Sequence, residues 1–353
     1  MKAIRYYGKE DVRLDEIDEP QVRPGTVKIK PAWTGVCGSD LHLYFDGVMP
    51  PAPSATEPHP ATHETLPVGF GHEFSGTVIE VGEGVTRLAV GDNVAVEPLL
   101  VCDECPACKS GNYNICAKMG FIGISGGGGG MSEAVIVGER WAHKVGDMPL
   151  DEAALIEPLA VAVHAARRVD VKAGEVALIG GAGPIGLLTA AVLKTRGIIT
   201  IVSEVSQARR DIAKQLGVAD HLINPMEQDV IETVYGLTEG AGAAAAFDCA
   251  GVQPVFDALL GSLRARGHLQ VVALYTESPK LNYPVMLYKE AMITASQGYA
   301  HSYPEAIELV ASGKIDLAPY ITARVSADNI ATEGYEFLQN NKETQVKVIA
   351  KMD

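Results

Sequence analysis

The stretch 176–193 is the longest uncharged run in the chain, 18 residues, and no other segment constrains the fold as tightly. It approaches the length needed to span a bilayer, about 20 residues. Gly180, Gly181, Gly183, Pro184 and Gly186 interrupt it near its middle, however. It therefore reads as a buried strand, Val176–Gly180, then a tight turn, then an apolar helix running to about Lys194. The turn spells Gly181-Ala182-Gly183-Pro184-Ile185-Gly186. A G-x-G-x-x-G that follows a strand and opens a helix marks a dinucleotide turn. Gly181 permits the sharp reversal. Gly183 lets the backbone approach a pyrophosphate at the positive end of the helix, and Gly186 lets helix and strand pack closely. A second strand at 198–204 ends on Glu204, roughly twenty positions after Gly181, where a carboxylate bonds the adenosine ribose hydroxyls. A carboxylate there repels a 2′-phosphate, so NAD is expected rather than NADP. Arg209 and Arg210 are the neighbours able to attract a phosphate instead.

Strands and helices go on alternating from there. A helix is expected at 206–216 and strands at 220–224, 243–249 and 268–274, with helical stretches between them. This is the pattern of βαβ units around a buried parallel sheet. The first 157 residues have a different texture. Short β-like runs at 26–31, 76–81, 93–97 and 134–137 are punctuated by turns such as Arg23-Pro24-Gly25 and Val90-Gly91-Asp92. A helix near 303–312 and a strand near 345–351 close the chain. With 353 residues, about two domains are expected. The net charge of −15 makes nucleic acid and anionic lipid poor generic partners. No apolar targeting segment opens the sequence, so a soluble cytoplasmic protein with no membrane partner is expected.

Four of the six cysteines fall within fifteen positions. Cys102, Cys105, Cys108 and Cys116 form C-x2-C-x2-C-x7-C, with Pro106 and Gly111 letting the chain turn. Four thiolates at such spacing can wrap a tetrahedral Zn²⁺. Disulfides are disfavoured in a reducing compartment. An iron–sulfur cluster is the other reading of x2 spacings, but nothing else in the chain suggests electron transfer. A closed four-thiolate site is structural, since it leaves no position for a substrate.

A more scattered set consists of Cys37-Gly38-Ser39-Asp40-Leu41-His42, Gly71-His72-Glu73 and Glu157-Pro158. Singly, each has an ordinary reading as a buried cysteine, a core histidine or a helix-start carboxylate. Taken in order with the cysteine lobe, E-P-L-A-V-A-x-H and G-A-G-P-I-G, they make the whole chain resemble the zinc-containing medium-chain dehydrogenases. The resemblance is to the sorbitol, threonine and 2,3-butanediol dehydrogenase branch. The Pro-rich stretch 49–66, and Ser125 with the glycines at 126–130, look most like its butanediol members. The resemblance implies a GroES-like β-rich catalytic domain at 1–157, completed by 301–353, and a doubly wound Rossmann domain at 158–300. It implies that Cys37 and His72 are constant ligands of a catalytic zinc. Glu157 stands where the alcohol dehydrogenase branch has a third ligand, and Glu73 is the carboxylate that binds zinc directly in some relatives. Ser39 matches the hydroxyl that contacts the substrate oxygen, and His42 the outer member of a proton relay. Pro184 and Ile185 complete the cofactor turn, with Arg209 beside it.

The chemistry is consistent with this reading. A catalytic zinc needs about three protein ligands and an open position. A hydroxyl and a histidine can carry an alcohol proton to solvent. Zn²⁺ has no redox chemistry, so a hydride acceptor is required. The expectation is one catalytic and one structural zinc per chain, NAD, a small alcohol or diol substrate, and a homo-oligomer, dimer or tetramer as in relatives. Gly123-Ile124-Ser125-Gly126-Gly127 matches the G-x-S-x-G of serine hydrolases. That elbow needs a following helix, which five glycines oppose. The glycine run reads as a mobile or close-approach loop, and 49–66 as an extended surface loop rather than a metal site.

Overall fold

A computed structural model describes residues 1–352. Two compact units emerge, one made of residues 1–157 with 316–352 and the other of Pro158–Ile315.

The first unit is built on a seven-stranded mixed sheet. Thr26–Gly35 is its central element. Glu73–Val81 lies antiparallel along one side, while Val135–Gly138 and then Lys347–Lys351 pair along the other. Val27, Ile29, Phe74, Val78, Val94, Val96, Val135 and Val137 interlock as its core. Each such side chain contributes about 1.5–3 kcal/mol by leaving water. The sheet register has one consequence for the site. Gly35 sits opposite Glu73 on one side and Ile349 on the other, so the last strand ends up beside residues from the first quarter of the chain.

The glycines at 126–130 are close-approach positions. Gly126, Gly127 and Gly128 have φ of +102°, +74° and +90°, a region that disfavours side chains. At Gly129 a Cβ would lie 2.3 Å from the Phe70 carbonyl oxygen. The Pro-rich stretch packs onto this run. The Gly127 amide donates to Glu64 (2.8 Å) and the Thr62 hydroxyl to the Ser125 carbonyl (2.7 Å). The surface-loop expectation for 49–66 therefore holds only in part, because His59 is buried beneath it.

The second unit carries a six-stranded parallel sheet in the order His221–Ile223, Ile199–Ser203, Val176–Gly180, Ala243–Asp248, Leu263–Val271, Met292–Ala295. In order of appearance this is 3-2-1-4-5-6, the doubly wound arrangement whose strand order reverses at the first strand. The central strand Ala243–Asp248 is buried at every residue, as a sheet covered on both faces requires. Helix Pro184–Thr195 buries eight consecutive residues, Gly186 to Leu193.

The second unit extends to Ile315, beyond the expected boundary at 300. Helix Tyr303–Ala311 holds it there. Glu305 accepts from Arg167 (2.6 Å) and Arg196 (2.9 Å), while Tyr303, Ala306 and Leu309 are buried. No helix among the described residues is long and apolar enough to cross a membrane.

His164, on helix Ile156–Arg167, is pushed down to about 4 by burial and then by Arg168, Arg167 and His301. Its unfolded value is about 6.5. The folded protein thus refuses a proton that the unfolded chain accepts, and stability present above pH ~6.5 is lost as the pH falls toward 4. In melting curves from pH 7 to 4.5, His164→Gln is expected to flatten this acid slope. Parallel slopes for parent and variant would contradict it.

Candidate functional site

The ligand atoms of Cys102, Cys105, Cys108 and Cys116 all lie within 4.8 Å of one another. The Cys102 and Cys116 sulfurs are 3.4 Å apart, far beyond disulfide bonding. Thiolates around a tetrahedral zinc at ~2.3 Å stand about 3.8 Å apart, so the lobe fits a metal. Backbone amides favour thiolates here. The amides of Ala117 and Cys108 pull Cys105 down to about 6, and Cys116 Sγ accepts from Lys118 N at 3.3 Å. The lobe is also held to its own unit. Asp103 pairs with Arg140 at 2.6 Å, and the Tyr113 hydroxyl donates to buried Glu97 at 2.8 Å. Tyr113 also sits edge-on to Trp141.

A second group, Cys37, His72 and Glu73, also has its ligand atoms mutually within 4.8 Å. Cys37 caps helix Gly38–Asp46, and its amide donates to Asp40 at 3.0 Å. His72 directly precedes strand Glu73–Val81. Its Nδ1 faces the fully buried Asp40 Oδ1 at 3.2 Å, and neither atom has another partner among the described residues. A carboxylate on Nδ1 leaves Nε2 as the ligating atom, the usual support for a metal-bound imidazole. Burial opposes charge on His72, yet Asp40 and Cys37 outweigh it and drive the ring toward protonation. A pocket of such anionic groups calls for a cation, so the residues fit the zinc their pattern implies. Glu157 lies outside this group. It is buried, and its charge acts on Lys347.

Ser39 Oγ is 3.5 Å from His72 Nε2. His42 follows one helical turn later on the same face, more exposed, with Nδ1 2.8 Å from Asp46. A half-buried hydroxyl at the metal group and an imidazole nearer solvent on one helix face make a short path for a proton.

The dinucleotide turn is formed as its spacing predicts. Gly181 has φ +94°. A Cβ on Gly186 would strike the Gly181 carbonyl oxygen at 2.0 Å, so turn and helix close only without one. At Gly183 a Cβ would meet only Arg209 Nη1, at 3.9 Å, which leaves the approach open for a pyrophosphate. Pro184 and Ile185 open the helix behind it. Glu204 accepts from Ala182 N (2.7 Å) and Ser206 N (2.9 Å), and Arg209 stands 3.9 Å from the same carboxylate. Each oxygen keeps a lone pair for a ribose hydroxyl. Arg210 is engaged by backbone. Its guanidinium is spent on the Glu204 and Val205 carbonyls.

Two residues that contact the Cys37–His72–Glu73 group, Asp40 and Lys347, escape a reading of the sequence alone. Asp40 lies inside Cys37-Gly38-Ser39-Asp40, and nothing in that motif gives it a role. Lys347 had a signal too, as a lysine inside the apolar run Val346 to Ala350. Ser125, the serine-hydrolase candidate, is buried. Its hydroxyl donates to Pro51 O and accepts from Phe121 N, so it is no nucleophile.

Residues 23–147 match the alcohol dehydrogenase GroES-like domain and residues 184–312 the zinc-binding dehydrogenase domain. The chain is 46% identical to an (R,R)-butanediol dehydrogenase of Neisseria gonorrhoeae over 350 residues, covering 99% of each. Among solved structures it is similar to the 2R,3R-butanediol dehydrogenase of Bacillus subtilis, with TM-score 0.93 at 35% identity over 100% of this chain and 99% of that one. An Escherichia coli alcohol dehydrogenase complexed with NADH superimposes with TM-score 0.88 at 26% identity, covering 100% and 99%.

Proposed function

The chain belongs to the zinc-binding alcohol dehydrogenases with a GroES-like domain, and from that membership we propose that it interconverts a vicinal diol and its hydroxyketone with NAD, the pair being (R,R)-2,3-butanediol and acetoin. The observation that carries the reading is the convergence of Cys37, His72 and Glu73, with Ser39 at 3.5 Å from the histidine. Cys37 and His72 would hold the catalytic zinc, with a carboxylate from Glu157 or Glu73. The four-cysteine lobe would hold a structural one.

Bound zinc supplies a Lewis acid that makes the alcohol easier to deprotonate, and bound NAD supplies the hydride acceptor. The protein's own residues do the rest. Asp40 orients His72. Ser39 accepts the alcohol proton and passes it one helical turn outward to His42. Asp46 accepts from His42 Nδ1, which leaves Nε2 free to take that proton and release it to water. Gly183 and the helix N-terminus seat the pyrophosphate, and Glu204 holds the adenosine ribose. Steady-state kinetics on butanediol isomers, acetoin, sorbitol and threonine test the reading. The highest kcat/KM is expected for (R,R)-2,3-butanediol with NAD. A preference for sorbitol or threonine would move the chain to another branch, and no turnover of any diol would reject it.

Glu204→Ala should reduce the preference for NAD over NADP by at least about tenfold, since hydrogen bonds to a charged group are worth ~1.5–3 kcal/mol. Comparing kcat/KM for both cofactors checks this, and an unchanged ratio would remove Glu204 from the ribose site.

A homo-oligomer, dimer or tetramer, belongs to the same proposal. Leu287, Tyr288 and Met292 are exposed beside the unpaired edge strand Met292–Ala295, an apolar margin that a soluble monomer rarely leaves uncovered. A cytoplasmic location is proposed on the strength of six free cysteines.

A further inference from the structure

We propose that His59 is a positioning residue that sets substrate size: it locks the Pro-rich strap 49–66 onto segment 119–127 and so fixes Phe121 against the metal-binding His72, where the ring limits the diols that the centre accepts. This rests on the catalytic-zinc and diol reading above.

His59 is buried, and both of its ring nitrogens are used. Nε2 lies 3.2 Å from the Met119 carbonyl oxygen, and Nδ1 lies 3.2 Å from the Ala61 amide. A carbonyl only accepts and an amide only donates, so the ring is neutral with its hydrogen on Nε2. Burial supports that state by holding the imidazole below its usual range. The main chain of His59 closes a turn. Its amide donates to the Glu64 carbonyl at 2.9 Å, and its carbonyl accepts from the His63 amide at 2.8 Å. That turn presents the Thr62 hydroxyl to the Ser125 carbonyl and the Glu64 carboxylate to the Gly127 amide. The imidazole therefore grips the start of segment 119–127, and the turn it belongs to grips the end.

The segment needs support from outside. Glycines at 120, 123, 126 and 127 leave it little stiffness of its own. Its path is fitted to the imidazole. A Cβ on Gly120 would lie 2.5 Å from His59 Cε1, so the ring and strand Gly120–Phe121 meet only because that position is bare.

The next residue carries the effect to the metal group. Phe121 is buried, with its ring centroid 6.0 Å from that of His72 and tilted by 56°. Gly123 presses on the backbone beside it, since a Cβ there would lie 2.1 Å from the Gly71 carbonyl oxygen. In this reading the carbons of an alcohol held at the His72 centre pack against the Phe121 ring. A wall held rigidly at packed density admits methyl substituents and rejects larger ones. With the strap unlocked, the wall can recede.

Steady-state kinetics comparing 2,3-butanediol with the bulkier 1-phenylethane-1,2-diol test this. His59→Ala is expected to lower the preference for butanediol in kcat/KM by about tenfold, mostly through KM. Amide hydrogen exchange, read without substrate, should quicken across 119–127 in the same variant. Phe121→Ala should lower the preference at least as far. The double variant should go no further than Phe121→Ala alone, because His59 acts through that ring. His59→Gln can still donate to the Met119 carbonyl and should keep the parent preference. A folded His59→Ala with the parent preference would overturn the proposal, as would effects of the two substitutions that simply add. If His59→Ala does not fold, Thr62→Val combined with Glu64→Ala frees the other end of the strap. That variant must lower the same preference, and an unchanged ratio overturns the proposal. Failure of the underlying reading looks different, because the parent would then turn over neither diol.

Discussion

Cys37→Ser is expected to lower kcat/KM for 2,3-butanediol by at least about a thousandfold while leaving the melting temperature near that of the parent. Metal content should fall from about two ions per chain to about one. The size follows from the Lewis acid, worth several kcal/mol of barrier, and ~4 kcal/mol is roughly a thousandfold. The selectivity follows from local structure. Cys37 is the N-cap of helix Gly38–Asp46, and serine is a good N-cap. The hydrogen bond from the residue 37 amide to Asp40 uses the backbone and survives the change. Full turnover by the variant would end the catalytic-metal assignment.

Cys105→Ser should act in the opposite order, with stability falling first. Structural zinc sites can supply ~10–16 kcal/mol to a peptide with nothing else to hold it. Here Asp103–Arg140, Tyr113–Glu97 and the Tyr113–Trp141 contact retain part of the lobe, so the net loss should be smaller. A loss of about 3–5 kcal/mol corresponds to a melting temperature lower by roughly 10 °C. Calorimetry, with limited proteolysis within 101–118, reads it out. Activity per folded molecule should persist at low temperature. Loss of activity with unchanged melting would mean that this lobe, not Cys37, holds the working metal.

The parts of the molecule legible in the sequence are those whose geometry is local. The turn from Gly181 to Gly186 needs only its own φ values and the strand and helix it joins. The cysteine lobe needs only fifteen residues and two turn formers. Both segments could be placed from spacing. Helix Gly38–Asp46 was harder, because its nine residues carry no strong apolar stripe to mark it. The end of the second unit was misjudged by fifteen residues for a related reason. Helix Tyr303–Ala311 could be located from its pattern, but its allegiance depends on Glu305 finding Arg167 and Arg196, more than a hundred positions away.

The chain alone therefore determined the dinucleotide turn, the metal lobe, the alternation of strands and helices and, through resemblance, the family. Only the tertiary structure decided how the Cys37–His72–Glu73 group is supported. His72 lies 35 positions from Cys37 and meets Asp40 through burial, while Lys347 reaches Glu73 across 274 positions. Contacts at such separations are set by strand register, and a slip of one residue would turn Lys347 to the opposite face. Register depends on the packing of a whole sheet around Gly35. No motif of a few residues records it.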